Sequence, residues 1–143
     1  MDDTPIDRQL IDYLFVLHNQ VHTQLKSLLR ELELTDAQAD ALWRLSGEPD
    51  MTARRLADAL ACDASSATAM IDRLEKHGLV SREPHPADRR AKILRLTPEG
   101  CALRDRLIRH AIEHSPFARL DDAGRRRLHA LLHQAATGQE DTS

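Results

Sequence analysis

Between residues 51 and 100 the chain passes, in order, through a short amphipathic helix, a tight turn, a second helix, and two strand-like runs joined by a basic turn. Thr52 can cap a helix over Ala53 to Leu60, which sets Leu56, Ala57 and Leu60 on one face. Ala61 and Cys62 supply the turn. Asp63 then caps a second helix, Ala64 to His77, in which Ala67, Ile71 and Leu74 recur at spacings of four and three and so face inward. Gly78 ends it. Leu79 to Glu83 and Ala91 to Leu96 carry enough apolar and β-branched character for two short antiparallel strands, joined by Pro84, His85, Pro86, Ala87, Asp88, Arg89 and Arg90. That order predicts a mainly α fold, a winged helix-turn-helix with a small antiparallel β-hairpin as its wing.

The outward face of the second helix carries Ser65, Ser66, Thr68, Ala69, Arg73 and Lys76. A helix that enters a DNA major groove needs small residues at its N-terminus for close approach, hydroxyls for base edges and phosphates, and cations farther along. These residues supply all three. In the wing, two prolines stiffen the approach to Arg89 and Arg90, and a guanidinium at the tip suits the strong negative potential of a narrow minor groove. Asp88 is placed to hold that arginine's direction.

Three segments of this stretch resemble the MarR family of bacterial transcriptional regulators. They are Leu60-Ala-Cys-Asp-Ala-Ser-Ser-Ala-Thr, Ile71-Asp-Arg-Leu-Glu-Lys-His-Gly-Leu-Val and Asp88-Arg-Arg-Ala-Lys-Ile-Leu-Arg-Leu-Thr-Pro-Glu-Gly. The resemblance implies a homodimer on a pseudo-palindromic operator, with the second helix in the major groove and Arg90 in the minor groove. Ala69 departs from the arginine often found at its position in the family.

At 143 residues the chain suits a single domain. Aromatics make up only 3%, so the core is expected to be aliphatic. The net charge of -3 is unevenly spread, because residues 51–100 hold nine basic and seven acidic side chains and the remainder therefore carries -5. A basic reading surface on an acidic body is compatible with double-stranded DNA. No membrane span is evident, and the acidic start, Met1 to Asp7, has neither the charge nor the apolar run of a signal or transit peptide. Two cysteines, Cys62 and Cys101, make no disulfide framework and favour a reducing compartment, so the bacterial cytoplasm is expected.

On either side lie longer helices. From Ile6 to about Glu31, Leu10, Leu14, Leu17, Val21, Leu25 and Leu28 form an apolar stripe, and a helix of that length is too long for a small domain to cover by itself. Thr35 and Gln38 form a capping box for a second helix that Gly47 stops, with Trp43 expected to anchor the core. Thr97-Pro98-Glu99 starts a helix with Leu103, Leu107, His110 and His114 on one face; Ser115-Pro116 breaks it, and Asp121 caps a last helix. The organisation expected is thus dimerisation helices over 6–31 and 98–136, the winged helix-turn-helix over 34–97, and a disordered tail over 137–143.

Six of the eight histidines fall in pairs four apart: His18 and His22, His110 and His114, His129 and His133. Such pairs stack on one helix face and can share a Zn²⁺, for which His22, Asp40, His110 and His114 are the candidate ligands. Histidines flanking an apolar stripe are more often interface or solvated residues, so no cofactor is required by this reading. No glycine-rich phosphate loop, nucleophile elbow or His-Glu-x-x-His motif accompanies them, and catalysis is not expected. The expected function is that of a dimeric repressor released by a small-molecule effector bound near His18, His22, Asp40 and Trp43, helices that border the pocket in the resembled family. The alternatives are a zinc-responsive regulator using the paired histidines and a redox sensor using Cys62 or Cys101.

Overall fold

The computed structural model describes residues 5–45 and 49–138. The chain runs α1 (Ile6–Glu31), α2 (Asp36–Leu45), α3 (Ala53–Ala59), α4 (Ala64–Lys76), β1 (Val80–Pro84), β2 (Lys92–Leu96), α5 (Pro98–Glu113), a 3-10 turn (Pro116–Arg119) and α6 (Asp122–Thr137). It is a mainly helical winged helix-turn-helix fold. Contacts group the chain into one unit over His22–Ile112 and another made of the segments up to Val21 and from Glu113 onward.

In the first unit the caps read from the sequence are in place. The Thr35 N–H donates to Gln38 Oε1 at 2.9 Å and the Gln38 N–H to Thr35 Oγ1 at 3.2 Å, a reciprocal capping box for α2. Thr52 Oγ1 accepts the Arg55 N–H at 3.2 Å to open α3, and Asp63 Oδ1 accepts the Ser66 N–H at 2.6 Å to open α4. Leu60 is the C-cap of α3 and His77 that of α4, so each helix closes one residue before the end expected from its pattern. Gly78 follows at φ +73°, a conformation glycine adopts without a Cβ clash, and turns the chain into β1. Gly47, expected to stop α2, lies outside the described residues.

β1 and β2 pair antiparallel, with Val80 opposite Leu96 and Pro84 opposite Lys92, each strand starting one residue later than its apolar and β-branched run suggested. The Leu94 N–H donates to Met51 O at 2.8 Å and Thr52 bridges Ile93, which fastens the hairpin to the chain entering α3. Leu42, Leu56, Ile71, Leu74, Ile93 and Leu107 are the largest fully buried side chains, each worth about 1.5–3 kcal/mol relative to exposure. Leu28 and Leu29 close this core from the end of α1.

Two expectations change here. Leu107, read as part of a dimerisation face, is 2% exposed and belongs to the core of its own chain. Helical periodicity shows that a side is buried without showing what buries it. Trp43 is 43% exposed and does not anchor the core. The buried side of α2 is taken by Gln38, Ala39, Ala41, Leu42 and Leu45, and Trp43, about 40° beyond Ala39, lies past the edge of that stripe.

In the second unit no described residue is fully buried. Its part of α1 leaves Ile6, Leu10, Tyr13, Leu14 and Phe15 more than half exposed, and α6 leaves Leu131 exposed by 62%. Ser115 Oγ accepts the Phe117 N–H at 3.1 Å at the start of the 3-10 turn, and Asp121 Oδ1 accepts the Gly124 N–H at 2.7 Å to open α6. That helix includes Thr137, with Gly138 as its cap, so the first two residues of the expected tail are part of its end. Residues 139–143 lie outside the described residues. Among the described residues no helix is long and apolar enough to cross a membrane.

Candidate nucleic-acid interface

α4 presents two faces because its sequence alternates them. Ala67, Met70, Ile71 and Leu74 are buried, and Ser65, Ser66, Thr68, Ala69, Arg73 and Lys76 are exposed. Among the described residues the side chains of Arg73 and Lys76 make no hydrogen bond or ion pair with protein groups. Ser66 is differently placed. Its backbone N–H bonds the Asp63 carboxyl, and hydrogen bonding from Ser66 holds that group below its ordinary value, against desolvation. Ser65, Ser66 and Thr68 thus place three exposed hydroxyls on this face, with the Ser66 backbone N–H committed to the helix cap.

The tip of the wing is shaped by its own side chains. His85 Nδ1 accepts the N–H groups of Ala87 at 3.0 Å and Asp88 at 3.2 Å. Asp88 Oδ1 accepts the Arg90 N–H at 2.9 Å, and the His85 N–H donates to Ala91 O at 3.2 Å. Asp88 therefore acts on the backbone of Arg90 rather than on its guanidinium. Arg89 and Arg90 are exposed, and among the described residues their side chains have no protein partner.

Two other cations of the hairpin, Arg82 and Arg95, are engaged, while Lys92 at the start of β2 is exposed. Arg95 Nε donates to Glu83 Oε2 at 3.1 Å and its Nη1 to Pro49 O at 3.0 Å. Arg82 donates to Asp72 Oδ1 at 2.5 Å and to Glu75 Oε1 at 3.0 Å, joining β1 to α4. Hydrogen bonding from Asp72, the larger cause, and the charge of Glu75 raise the Arg82 pKa above its ordinary value, against desolvation. The sequence reading passed over Arg82 and His85. A signal for Arg82 was available: strand alternation puts it on the same side as Val80, which is 2% exposed, and a cation on an inward side calls for a carboxylate.

A cleft of about 220 Å³ opens beside α4, lined by Thr35, Gln38, Asp40, Cys62, Met70 and Arg73 among others. Of the four residues expected around an effector, Asp40 alone lines it. His22 Nε2 lies 3.5 Å from Asp36 Oδ2, Trp43 is on the exposed side of α2, and His18 belongs to the other unit. The proposed zinc ligands are not gathered either. His22 meets Asp36 rather than Asp40, His110 Nε2 is 2.7 Å from Gln24 O, and His114 is exposed in the other unit. Among the described residues no three His, Cys, Asp or Glu side chains come together as a metal site. His129 and His133 do stack, with ring centres 6.3 Å apart. Cys62 and Cys101 are half-buried free thiols.

Comparison with known proteins adds to this geometry. A family model described as MarR family matches residues 34–92. The chain is 28% identical over 107 residues to the organic hydroperoxide resistance transcriptional regulator of Bacillus subtilis, covering 75% of this chain and 73% of that one. It is 31% identical over 110 residues to the HTH-type transcriptional repressor NicR of Pseudomonas putida, covering 76% and 70%. Other curated relatives are spanned to as little as 54% of their length. Among solved structures, BpsR of Bordetella bronchiseptica, whose DNA binding is regulated by 6-hydroxynicotinic acid, superposes with a TM-score of 0.70 at 26% identity, over 90% of this chain and 98% of that one.

Proposed function

The chain belongs to the MarR family of transcriptional regulators, and from that premise we propose that it is a sequence-specific repressor that binds a pseudo-palindromic DNA operator as a homodimer. Members of the family act by binding DNA and are not enzymes. The observation that carries the proposal is the distribution of unpaired charge. Arg73, Lys76, Arg89, Arg90 and Lys92 are exposed on α4 and the wing without a protein partner among the described residues, while Arg82 and Arg95 are paired with carboxylates of their own chain. On this reading α4 enters the major groove, where Ser65, Thr68 and Ala69 permit close approach, and Arg73 and Lys76 meet phosphates. Arg90 enters the minor groove and Arg89 lies beside it.

The homodimer is supported by the apolar side chains of α1 and α6 that one chain leaves in water, since contiguous exposed apolar surface marks an association site. The protein then acts in the cytoplasm, where its operator is.

Release is assigned to a small organic effector. The cleft beside α4 shares Ser66 and Arg73 with the face proposed for DNA, so a molecule seated there competes with the operator for the same groups. Asp40 and Arg73 both line it, which suits a molecule with an anionic group and a hydrogen-bond donor on an apolar body that rests on Leu60 and Met70. Such a molecule shifts the population only by its preference for the DNA-free form. Of the expected set His18, His22, Asp40 and Trp43, Asp40 is the residue that lines this cleft.

Selection of bound duplexes from a random-sequence library tests the main reading. It should enrich an inverted repeat with half-site centres about 10 base pairs apart, one helical turn. Recovery of unenriched sequence would overturn it. Addition of 6-hydroxynicotinic acid to the complex probes the effector class: release that Asp40→Ala weakens supports the cleft, and release that ignores Asp40→Ala removes it.

A further inference from the structure

Two carboxylates, Asp72 and Glu75, stand three residues apart on α4, the helix on which Arg73 and Lys76 are exposed. Left bare, they would oppose the approach of DNA phosphates. Both are taken up by one side chain: Arg82 of β1 reaches Asp72 Oδ1 at 2.5 Å through Nη2 and Glu75 Oε1 at 3.0 Å through Nη1, with only 25% of its side chain exposed. A guanidinium presents its donors in a fixed planar fork, so one group can satisfy two acceptors while fixing its own orientation. Single exposed ion pairs contribute little, but a half-covered fork between two elements is a small network.

The place of this fork in the hairpin gives it mechanical meaning. Nearer the base, the Leu79 N–H donates to Leu74 O at 3.0 Å and Thr97 Oγ1 donates to Gly78 O at 2.6 Å. Beyond Arg82, among the described residues, no hydrogen bond or ion pair ties the hairpin to α4. Arg82 is thus the outermost polar strut between β1 and α4, while on the other strand the Leu94 N–H to Met51 O bond and the Thr52–Ile93 bridge hold β2 to the chain entering α3.

We infer that Arg82 is a positioning residue for DNA binding: it sets the angle of the wing to α4 and masks Asp72 and Glu75, without itself touching the nucleic acid. This rests on the DNA-binding reading above. A direct phosphate contact would need the guanidinium to leave two carboxylates. Arg73, Lys76, Arg89 and Arg90 have no such competition.

The test compares four proteins on one selected duplex: the unaltered chain, Arg82→Ala, Asp72→Asn with Glu75→Gln, and all three changes together. Arg82→Ala should lose about three- to tenfold in affinity, and the loss should shrink below about twofold when both carboxylates are already neutral. The slope of log affinity against log salt should not change between them. An equal loss in both backgrounds, with a slope smaller by about one, would mean a direct phosphate contact and overturn the inference. Arg82→Gln stands in if Arg82→Ala does not fold. A second arm needs no DNA. Spin labels at Lys76→Cys and Ala87→Cys, in a chain with Cys62→Ser and Cys101→Ser diluted into unlabelled protein, should give a narrow distance distribution that Arg82→Ala broadens. Equal widths would refute the strut. If the unaltered chain selects no duplex, the functional reading fails while this arm still decides the role of Arg82.

Discussion

Asp88 holds Arg90 by the main chain: its Oδ1 accepts the Arg90 N–H at 2.9 Å, and the guanidinium of Arg90 stays in solvent. The carboxylate shapes the turn without neutralising the cation at its tip. Arg90→Ala should therefore cost about 1–3 kcal/mol in operator binding and leave thermal unfolding unchanged. Asp88→Ala should weaken binding less, through the turn alone. Equal affinities for Arg90→Ala and the unaltered chain, in a fluorescence anisotropy titration, would remove the wing from the mechanism.

Leucines on two helices should answer differently to the same change. Leu107 is 2% exposed in the core and Leu14 is 56% exposed. Leu107→Glu buries a carboxylate among aliphatic side chains, a penalty of several kcal/mol that is comparable to the stability of a small domain, so helical circular dichroism should be lost. Leu14→Glu should keep the helical signal and sediment as a monomer. A dimer for Leu14→Glu would displace the proposed interface from that face of α1.

Gly100 gives the Leu-Thr-Pro-Glu-Gly segment a physical reason. A Cβ there would lie 2.0 Å from Leu79 O, and that oxygen already accepts the Thr97 N–H at 3.0 Å. Gly100→Ala must push α5 off the end of the first strand, at a cost of about 1–3 kcal/mol. Its melting temperature should fall well below that of Gly78→Ala only if packing, rather than backbone conformation, is the larger penalty, since a Cβ at Gly78 meets no atom within 4 Å.

Acid should act on α4 through Asp63. The backbone N–H of Ser66 binds the ionised carboxyl, and hydrogen bonding from Ser66 lowers its pKa from the ordinary 3.8. A group depressed on folding contributes stability above its unfolded pKa and loses it as the pH falls through the lower folded value. Asp63→Ala should thus be less stable than the unaltered chain at neutral pH, with the gap closing as the pH descends through the carboxylate range. Urea titrations at several pH values check this; a gap independent of pH would detach the cap from the charge.

What the sequence made legible was local. Thr35 and Gln38, three apart, declared their capping box, and Ala67, Ile71 and Leu74 declared the inner side of α4, because both depend on neighbours within a helical turn. What it hid was set by partners distant along the chain. Arg82 finds Asp72 and Glu75 only after Gly78 reverses the chain, and Leu107 finds its core only when α5 packs back, so periodicity marked it as buried but not by what. The histidine pairs show the same limit: spacing of four stacks His129 on His133, and a third ligand from another element cannot be read from that spacing. The exposed side of α4 was readable because it is the complement of the buried side within the same helix.

The most direct test of the account is the affinity of the purified protein for its selected inverted repeat and for a scrambled duplex, measured across a salt series with stoichiometry determined in parallel. The account predicts two protomers on the repeat, a preference of about 10³ or more over the scrambled duplex, and log affinity falling linearly with log salt. Equal affinity for both duplexes, or one protomer bound without preference, would contradict it.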